Sequence, residues 1–462
     1  MSKLGKKEIY SYTLYGFTMA VFSAMSMNYT NIFLTDYLLY SASLMGTTLL
    51  VGRIVDLIVA LMAGGIIEKS RLKWGKYRSW TMICRFTAFI GCTLLFTNIS
   101  TLPTGLKVSA TITAYILLHG SLAFLQTSQS GILSLMAGAD IEARNILAAR
   151  NAQAMALANI VASATIIPLI NYFTPIFGAA GAYTAVAILL GLVFFLGATI
   201  LSKAAKPHDT PHFKNAGLEM TTPTIKEMVM SVVNNDQLLI YLASLSLYFT
   251  AFVMNHGAMA YYFTYALGDF LLMSLALTVT TSFAVVSSII SPKIGAKIGK
   301  DKAMVVGLLI YSATFFGMTF LAKESLIVYI IFACLGMAGM YFFLGFGPNY
   351  AIDAGEYYYY KTGKDNRAIA INMYSIPIKI GFIVGGTLTG YALDAIGYTA
   401  GITPTPEFIS KLMWVFSGIP AIFSLIGAII MQAGYRITDE DAARYAKANA
   451  EKMIGEREQA QL

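Results

Sequence analysis

The sequence predicts an all-α protein that crosses a membrane many times, and two observations lead to that fold class. Of its 462 residues, 57% are hydrophobic and only 12% are charged, whereas soluble proteins carry about 25% charged residues. Apolar stretches of about 20 residues recur along the chain, and each is long enough to cross a hydrocarbon layer about 30 Å thick. A soluble enzyme, a disordered scaffold and a nucleic-acid-binding protein are therefore excluded, and we expect no nucleic-acid partner.

Twelve apolar stretches are predicted to be transmembrane helices, because backbone groups inside lipid must be hydrogen-bonded within their own segment. They cover residues 9–35, 41–67, 80–100, 108–136, 151–173, 178–201, 237–263, 270–295, 303–322, 325–350, 368–393 and 406–433. The sequence shows no nucleotide-binding loop, no metal-ligand cluster and no nucleophile paired with a base. We therefore expect no enzymatic activity, no catalytic residue, no bound metal and no cofactor.

The basic residues predict how these helices are oriented. Most of the 32 Lys and Arg residues lie in the N-terminal segment, in the loops that follow even-numbered spans, or in the tail. Only Lys107, Lys323 and Lys411 fall on the opposite side. Because cytoplasmic loops carry an excess of Lys and Arg, we expect a multi-pass protein of the cytoplasmic (inner) membrane with both termini in the cytoplasm.

Two matched landmarks suggest an internal duplication. A Gly-Lys pair at 75–76 follows the second span and another at 299–300 follows the eighth, and Arg144 and Arg367 are separated by nearly the same interval. Such offsets are expected of repeated bundles. Two six-helix bundles joined by a linker are the layout of the major-facilitator fold. The predicted domains are a six-helix bundle (1–202), a cytoplasmic linker (203–235), a second six-helix bundle (236–435) and a cytoplasmic tail helix (436–462).

Several motifs resemble those of one transporter family. They are Thr35-Asp36, Gly52-Arg53-Ile54-Val55-Asp56, the run from Trp74 to Trp80, Asp353-Ala354-Gly355-Glu356-Tyr357 in the loop before span 11, Lys379 with the glycines that follow it, and Tyr435 to Glu440. On these motifs the chain is identified as a member of the glycoside–pentoside–hexuronide:cation symporters, the family of the melibiose permease. The resemblance implies a twelve-helix fold whose central site is reached alternately from either side.

Some of the chemical groups that the resemblance implies are missing. The family's cation site pairs the acid at Asp56 with a second acid one helical turn later, and that position is Ala60. The sugar-binding acids of the melibiose permease fall on Ala20 and Gln129, whereas its basic partner on span 5 is retained as Arg150. Neither sodium coupling nor a galactoside substrate therefore follows from the resemblance.

Asp56 is the candidate site for the coupling ion. It lies well inside a span, where a charge costs roughly 2.5–3.5 kcal/mol, and Arg53 three residues earlier shares its helix face. Either Asp56 binds a cation or proton and Arg53 supports it, or the two form a structural ion pair. A lone carboxylate suits H⁺ better than Na⁺, because a hard cation requires several oxygen ligands.

Polar side chains on the spans expected to line the cavity are the candidates for binding substrate. These are Tyr29, Asn28, Gln126, Gln129, Arg150, His256 and Lys379. Amide, hydroxyl and basic groups suit a ligand rich in hydroxyl or carbonyl groups, although such residues also form hydrogen bonds between helices. Lys379 is either a cavity residue or half of a salt bridge across the bundle.

Two functions remain open at this point. The first is a secondary active transporter that moves a glycoside, hexuronide or related ring compound by alternating access, coupled to H⁺ or Na⁺. The alternative is an uncoupled facilitator or a sensor for an amphipathic non-sugar ligand, which the missing acids favour. In either case the partners are a small-molecule solute and the lipid bilayer, and we expect a monomer.

Overall fold

The computed structural model of the protein describes residues 5–138, 140–210 and 230–459, and one or two helices cover most of each of the twelve predicted spans. The helices are α1 (Lys6–Ile32), α2 (Ala42–Lys69), α3 (Lys76–Leu95), α4 (Thr104–Ala137), α5 and α6 (together Ile141–Ala204), α7 (Asp236–Tyr261), α8 (Leu271–Ile298), α9 (Lys300–Leu321), α10 (Leu326–Leu344), α11 (Gly347–Thr362), α12 (Arg367–Met373), α13 (Ser375–Ala395), α14 (Pro406–Met413), α15 (Ile419–Gly434) and α16 (Asp439–Gln459). Of the predicted linker, residues 211–229 lie outside the described part of the chain.

Nine helical stretches in the described residues are long and apolar enough to cross a membrane. They contain ten of the twelve predicted spans, because Ile141–Ala204 holds two of them. The other two spans correspond to α1 and α3. The sequence of α1 is rich in Ser, Thr, Tyr and Asn, which lowers its hydropathy.

A single glycine separates α5 from α6. Within Ile141–Ala204, Gly178 has φ 76° and ψ 165°, a conformation that is open to glycine and strained for other residues. The stretch is therefore two helices, α5 over residues 141–177 and α6 over residues 179–204. Pro175 lies just before the break and removes a backbone donor from the end of α5.

Two transmembrane helices end in equivalent π-helical turns. The turn Phe33–Tyr37 follows α1, and the turn Tyr262–Ala266 follows α7. In the first, the amide of Leu38 donates to the carbonyl of Phe33 over 3.1 Å, and in the second Leu267 donates to Tyr262 over the same distance. A π turn inserts a residue into the helical register, and such turns occur often at functional sites.

The described residues form two compact units. The first lies within residues 1–217, 257–281 and 387–408, so it contains α1–α6, the end of α7, the start of α8 and the end of α13. The second lies within residues 218–256, 282–386 and 409–462.

Aromatic side chains dominate the core of the first unit. Phe22 on α1 stacks on Phe194 of α6 with ring centroids 4.8 Å apart, and both side chains are almost completely buried. The hydroxyl of Ser274 on α8 donates to the backbone carbonyl of Ser163 on α5 over 2.7 Å. Packing and interhelical hydrogen bonds of this kind hold helices together inside a bilayer.

A distant carboxylate caps the first turn of α3. Asp209 lies just after α6, is 1% exposed, and accepts hydrogen bonds from the backbone amides of residues 76, 77 and 78 over 2.8, 2.8 and 2.7 Å. These are amides that a helix N-terminus leaves unpaired. The guanidinium of Arg78 donates in turn to the carbonyl of Ser202 over 2.6 Å, which fixes the end of α6 against α3.

Two segments expected to be loops are helical. The acidic motif at 353–357 lies on α11, which has Pro348 in its first turn and Gly363 with φ 72° at its end. Arg144 and Arg150 lie on α5, because the side chain of Asp140 caps that helix by accepting from the amide of Ala143. Hydropathy detects the apolar part of a helix, whereas the caps decide where it begins and ends.

The tail helix α16 packs on α11 in the second unit. The amide of Asn449, which is 2% exposed, donates to the backbone carbonyl of Glu356 over 2.9 Å. Arg367 forms an ion pair with Glu356 over 3.2 Å, and Lys300 pairs with Asp353. The acidic side chains of α11 are therefore neutralised by neighbouring basic groups.

Candidate functional site

The candidate ion site lies on α2 where it packs against α4. Arg53 and Asp56 are separated by one turn and both are part-buried. The hydroxyl of Tyr115 on α4 lies within hydrogen-bonding range of Arg53 and within electrostatic range of Asp56. The Nε and Nη1 atoms of Arg53 are buried and have no hydrogen-bond partner among the described residues. A carboxylate beside a guanidinium with unused donors can exchange a proton or bind an oxygen-bearing ligand.

Close packing of the two helices brings Tyr115 to this site. A Cβ atom on Gly52 would lie 2.7 Å from Cδ1 of Tyr115, so the ring lies directly against the backbone of α2. The ring of His119 stacks on Tyr115 with centroids 4.0 Å apart. One turn beyond Asp56, a Cβ atom on Gly120 would lie 3.5 Å from Cγ1 of Val59, so the side chain that faces α4 there is apolar.

A second group of polar side chains joins α1, α4 and α5. The amide of Gln129 donates to Oδ1 of Asn151 over 3.0 Å, and the hydroxyl of Tyr12 donates to the backbone carbonyl of Gln129 over 3.3 Å. Gly16 on α1 allows Asn151 to approach the backbone closely. Gln129, predicted to bind substrate, thus hydrogen-bonds between helices.

Arg150 lines a cavity between α1 and α5. The cavity has a volume of ≈ 730 Å³, within the range of small-molecule sites. Its walls include Lys6, Tyr10 and Phe17 from α1, and Gln153 from α5. Nη1 of Arg150 donates to Oε1 of Gln153 over 3.2 Å. A basic and amide-bearing wall opposite aromatic rings suits an amphipathic ring compound that carries oxygen atoms.

The other predicted substrate residues of the first unit are spread along α1 and α4. Gln126 is exposed, and Asn28 is part-buried. Tyr29 is 1% exposed, and its ring meets the edge of Phe270 with centroids 6.2 Å apart. Tyr29 is thus a packing residue in this structure.

His256 and Lys379 belong to the second unit. Nδ1 of His256 is 3.1 Å from the carbonyl of Phe252, and the two rings lie 4.0 Å apart. Lys379 is part-buried on α13. Two residues further on, Gly381 packs against Phe249 of α7.

Sequence reasoning missed Asn151 and Gln153 as partners of the predicted site residues. Asn151 directly follows Arg150, and Gln153 lies three residues after it. Two amide side chains within one turn of an arginine, on an otherwise Ala-rich helix, predict a polar helix face.

A solved structure has the same fold as this chain. The chain aligns with the nucleoside transporter NupG at a TM-score of 0.68 and 14% sequence identity, over 93% of this chain and 99% of the other. This identity is low, so the likeness shows the fold alone, which is the twelve-helix major-facilitator fold of two six-helix bundles.

Sequence comparison then gives the family. Residues 11–439 match the family described as MFS/sugar transport protein, and the chain belongs to that family. It is 23% identical to a glucuronide carrier protein homolog of Escherichia coli (strain K12), with 88% of this chain and 87% of the relative aligned. It is also 23% identical to the isoprimeverose transporter of Lactiplantibacillus pentosus, over 92% and 87% of the two chains.

These findings decide between the functions left open by the sequence. The chain is a membrane-embedded, multi-pass secondary active transporter of a small solute, and it is not an enzyme. The family resemblance predicted from its motifs is confirmed. An uncoupled facilitator or sensor is not favoured.

Proposed function

We propose that the protein carries a glycoside, hexuronide or related ring compound across the cytoplasmic membrane, with both termini in the cytoplasm, and that Asp56 couples this transport to H⁺. The observation that carries the proposal is the position of Asp56 beside Arg53 and Tyr115 at the contact between α2 and α4. One turn later the chain has Ala60 and Val59, whose side chains have no oxygen. A proton requires one carboxylate, whereas Na⁺ requires several oxygen ligands.

The substrate class is supported by the relatives and by the cavity beside Arg150. The two relatives are named for a glucuronide and for isoprimeverose. The cavity combines Arg150 and Gln153 with the rings of Tyr10 and Phe17. Guanidinium and amide groups bind carboxylate and hydroxyl oxygens, and aromatic rings pack against the apolar face of a sugar or its aglycone.

The test is uptake into proteoliposomes of p-nitrophenyl β-glucuronide and p-nitrophenyl β-xyloside, after a thermal-shift screen has shown which one binds. An imposed gradient of H⁺ should drive accumulation, because one charge moving through 100 mV is worth about 2.3 kcal/mol, or nearly fiftyfold in concentration. Asp56→Asn should abolish accumulation while leaving exchange of substrate down its own gradient intact. The matched control is Glu68→Gln, which removes the exposed acid of the Glu68–Lys76 ion pair at the end of the same helix.

Two results would contradict the proposal. Stronger stimulation by a Na⁺ gradient than by H⁺ would show that hydroxyl or carbonyl oxygens complete a metal site around Asp56. Gradient-driven accumulation that survives in Asp56→Asn would show that this carboxylate is a structural partner of Arg53.

A further inference from the structure

The carboxylate of Asp36 is surrounded by hydroxyl groups at the end of the first unit that lies away from the N-terminus. The hydroxyl of Tyr265 donates to Oδ2 over 2.8 Å, and the hydroxyl of Tyr398 donates to Oδ1. Thr35 donates to Oδ1 over 2.7 Å. Hydrogen bonds from hydroxyls to an ionised carboxylate are about twice as strong as neutral ones.

The partners of Asp36 come from distant parts of the chain. Asp36 lies in the π turn after α1, Tyr265 in the π turn after α7, and Tyr398 in the loop after α13. Asp36 and Tyr265 are 229 residues apart, and they occupy the same position in the two equivalent turns. The insertion of one residue at each helix end thus turns a carboxylate and a phenol toward each other.

Further hydrogen bonds and ring contacts fix these side chains in place. The hydroxyls of Thr35 and Tyr261 are 2.9 Å apart, and the rings of Tyr261 and Tyr398 meet edge to face at 4.9 Å. The backbone amide of Gly401 donates to the Tyr265 hydroxyl over 3.2 Å. Burial raises the pKa of Tyr398 well above its ordinary value, so this phenol keeps the proton that it donates.

The helices on either side of the cluster are in close contact as well. The amide of Asn31 on α1 donates to the carbonyl of Gly257 on α7 over 3.1 Å. A Cβ atom on Gly390 of α13 would lie 2.7 Å from Cα of Gly46 on α2. The end of α1 therefore lies against α7, and the start of α2 lies against the end of α13.

We propose that Thr35, Asp36, Tyr261, Tyr265 and Tyr398 form a latch, here named the Asp36 latch, which holds this end of the transporter closed and opens each time solute passes through it. A transporter must open each side in turn. The contacts that close one side therefore have to be strong enough to keep it closed and few enough to break when it opens. One carboxylate that gathers two phenols from two other segments meets both requirements. Whichever solute and ion are carried, these contacts keep the two sides of the transporter from opening together.

The test measures how far this end opens, with spin labels on cysteines that replace Thr101 and Ala395, both exposed at the same end. The native Cys84 and Cys92 are changed to Ala and Cys334 to Ser. Pulsed electron paramagnetic resonance then gives the distance distribution in proteoliposomes. Asp36→Asn and Tyr398→Phe should each raise the ratio of the long-distance to the short-distance population at least tenfold, which is about 1.4 kcal/mol. Tyr265→Phe is a milder variant that supplies the same readout if Asp36→Asn does not fold.

Two matched controls separate the latch from a general loss of stability. Tyr40→Phe also deletes a buried hydroxyl, which is 2.9 Å from the hydroxyl of Thr111 on α4, but it leaves the contacts to α7 and α13 intact. Asp394→Asn removes an exposed acid at the same end. An unchanged distance ratio in all latch variants would overturn the proposal, and so would an equal rise in Tyr40→Phe.

Discussion

At position 52 a glycine decides where an aromatic ring lies. The ring of Tyr115 rests on the backbone of α2 because residue 52 has no Cβ, and this contact places its hydroxyl beside Arg53 and Asp56. The sequence predicts that Arg53 and Asp56 share one helix face, since they are three residues apart. It does not predict Tyr115 as their partner, because that contact depends on how α2 and α4 pack.

Gly52→Ala should destabilise the protein by about 1–3 kcal/mol, because the new methyl group has to displace the ring of Tyr115 in a packed interface. Unfolding by SDS in mixed micelles measures this change. Gly64→Ala on the same helix is the control, since a Cβ there meets nothing within 4 Å. Alanine should stabilise that exposed turn by roughly 0.5–1 kcal/mol. Equal effects of the two substitutions would show that a methyl group at position 52 is accommodated without displacing the ring of Tyr115.

The side-chain amides of Gln129 and Asn151 show a second kind of contact that the sequence does not predict. Gln129 was predicted to meet substrate, and in the structure it donates to Asn151. Polarity on a membrane helix identifies a side chain that needs a partner, whereas only the fold decides whether that partner is a ligand or a neighbouring helix. Its role toward substrate stays a prediction.

At the scale of helices, the apolar stretches of the sequence predict where the transmembrane helices lie, but they predict the helix ends less accurately. The break at Gly178 falls at the first residue of the predicted sixth span. In contrast, α5 begins ten residues before its predicted span, at the cap formed by Asp140. The cap of α3 was not predictable from local sequence at all, because Asp209 is 131–133 residues away from the amides that it binds.

Removing the distant cap of α3 should destabilise the protein more than removing the local cap of α5. Asp209→Ala leaves three backbone amides of α3 without their acceptor, and hydrogen bonds to a charged group contribute about 1.5–3 kcal/mol. We therefore expect a loss of at least about 2–3 kcal/mol in the free energy of unfolding, measured as for Gly52→Ala. Asp140→Ala removes one amide bond of 3.1 Å at the exposed start of α5 and should cost about 0.5–1 kcal/mol. A smaller loss for Asp209→Ala than for Asp140→Ala would contradict this account.

For the whole molecule, composition and apolar stretches predicted a membrane protein of twelve helices, whereas the major-facilitator fold was predicted from the matched Gly-Lys and Arg landmarks and from the family motifs. The contacts of the Asp36 latch could not be predicted from the sequence, although Thr35-Asp36 was recognised as a family motif. Residues 229 positions apart meet only because two π turns change the helical register. Neither apolar periodicity nor spacing reports such turns.

The orientation in the membrane gives a prediction at this scale. Single cysteines at Ser41, Ser100 and Ser410, which lie at or near the ends of α2, α3 and α14, should react with a membrane-impermeant maleimide in intact cells. A cysteine at Asn215, which lies outside the described residues, should react only after the cells are permeabilised. Labelling of the cysteine at 215 from outside would show that the bias of Lys and Arg does not set the orientation of this chain.

The position of Asp209 also bears on how the gene can be divided. A polypeptide that stops after Thr210 contains the first six helices and also retains the carboxylate that caps α3. A cut after residue 202, the predicted edge of the first domain, would leave that carboxylate on the other fragment, where it would have to find α3 by association. For co-expression of two complementing fragments, the natural boundary of the first one is therefore residue 210.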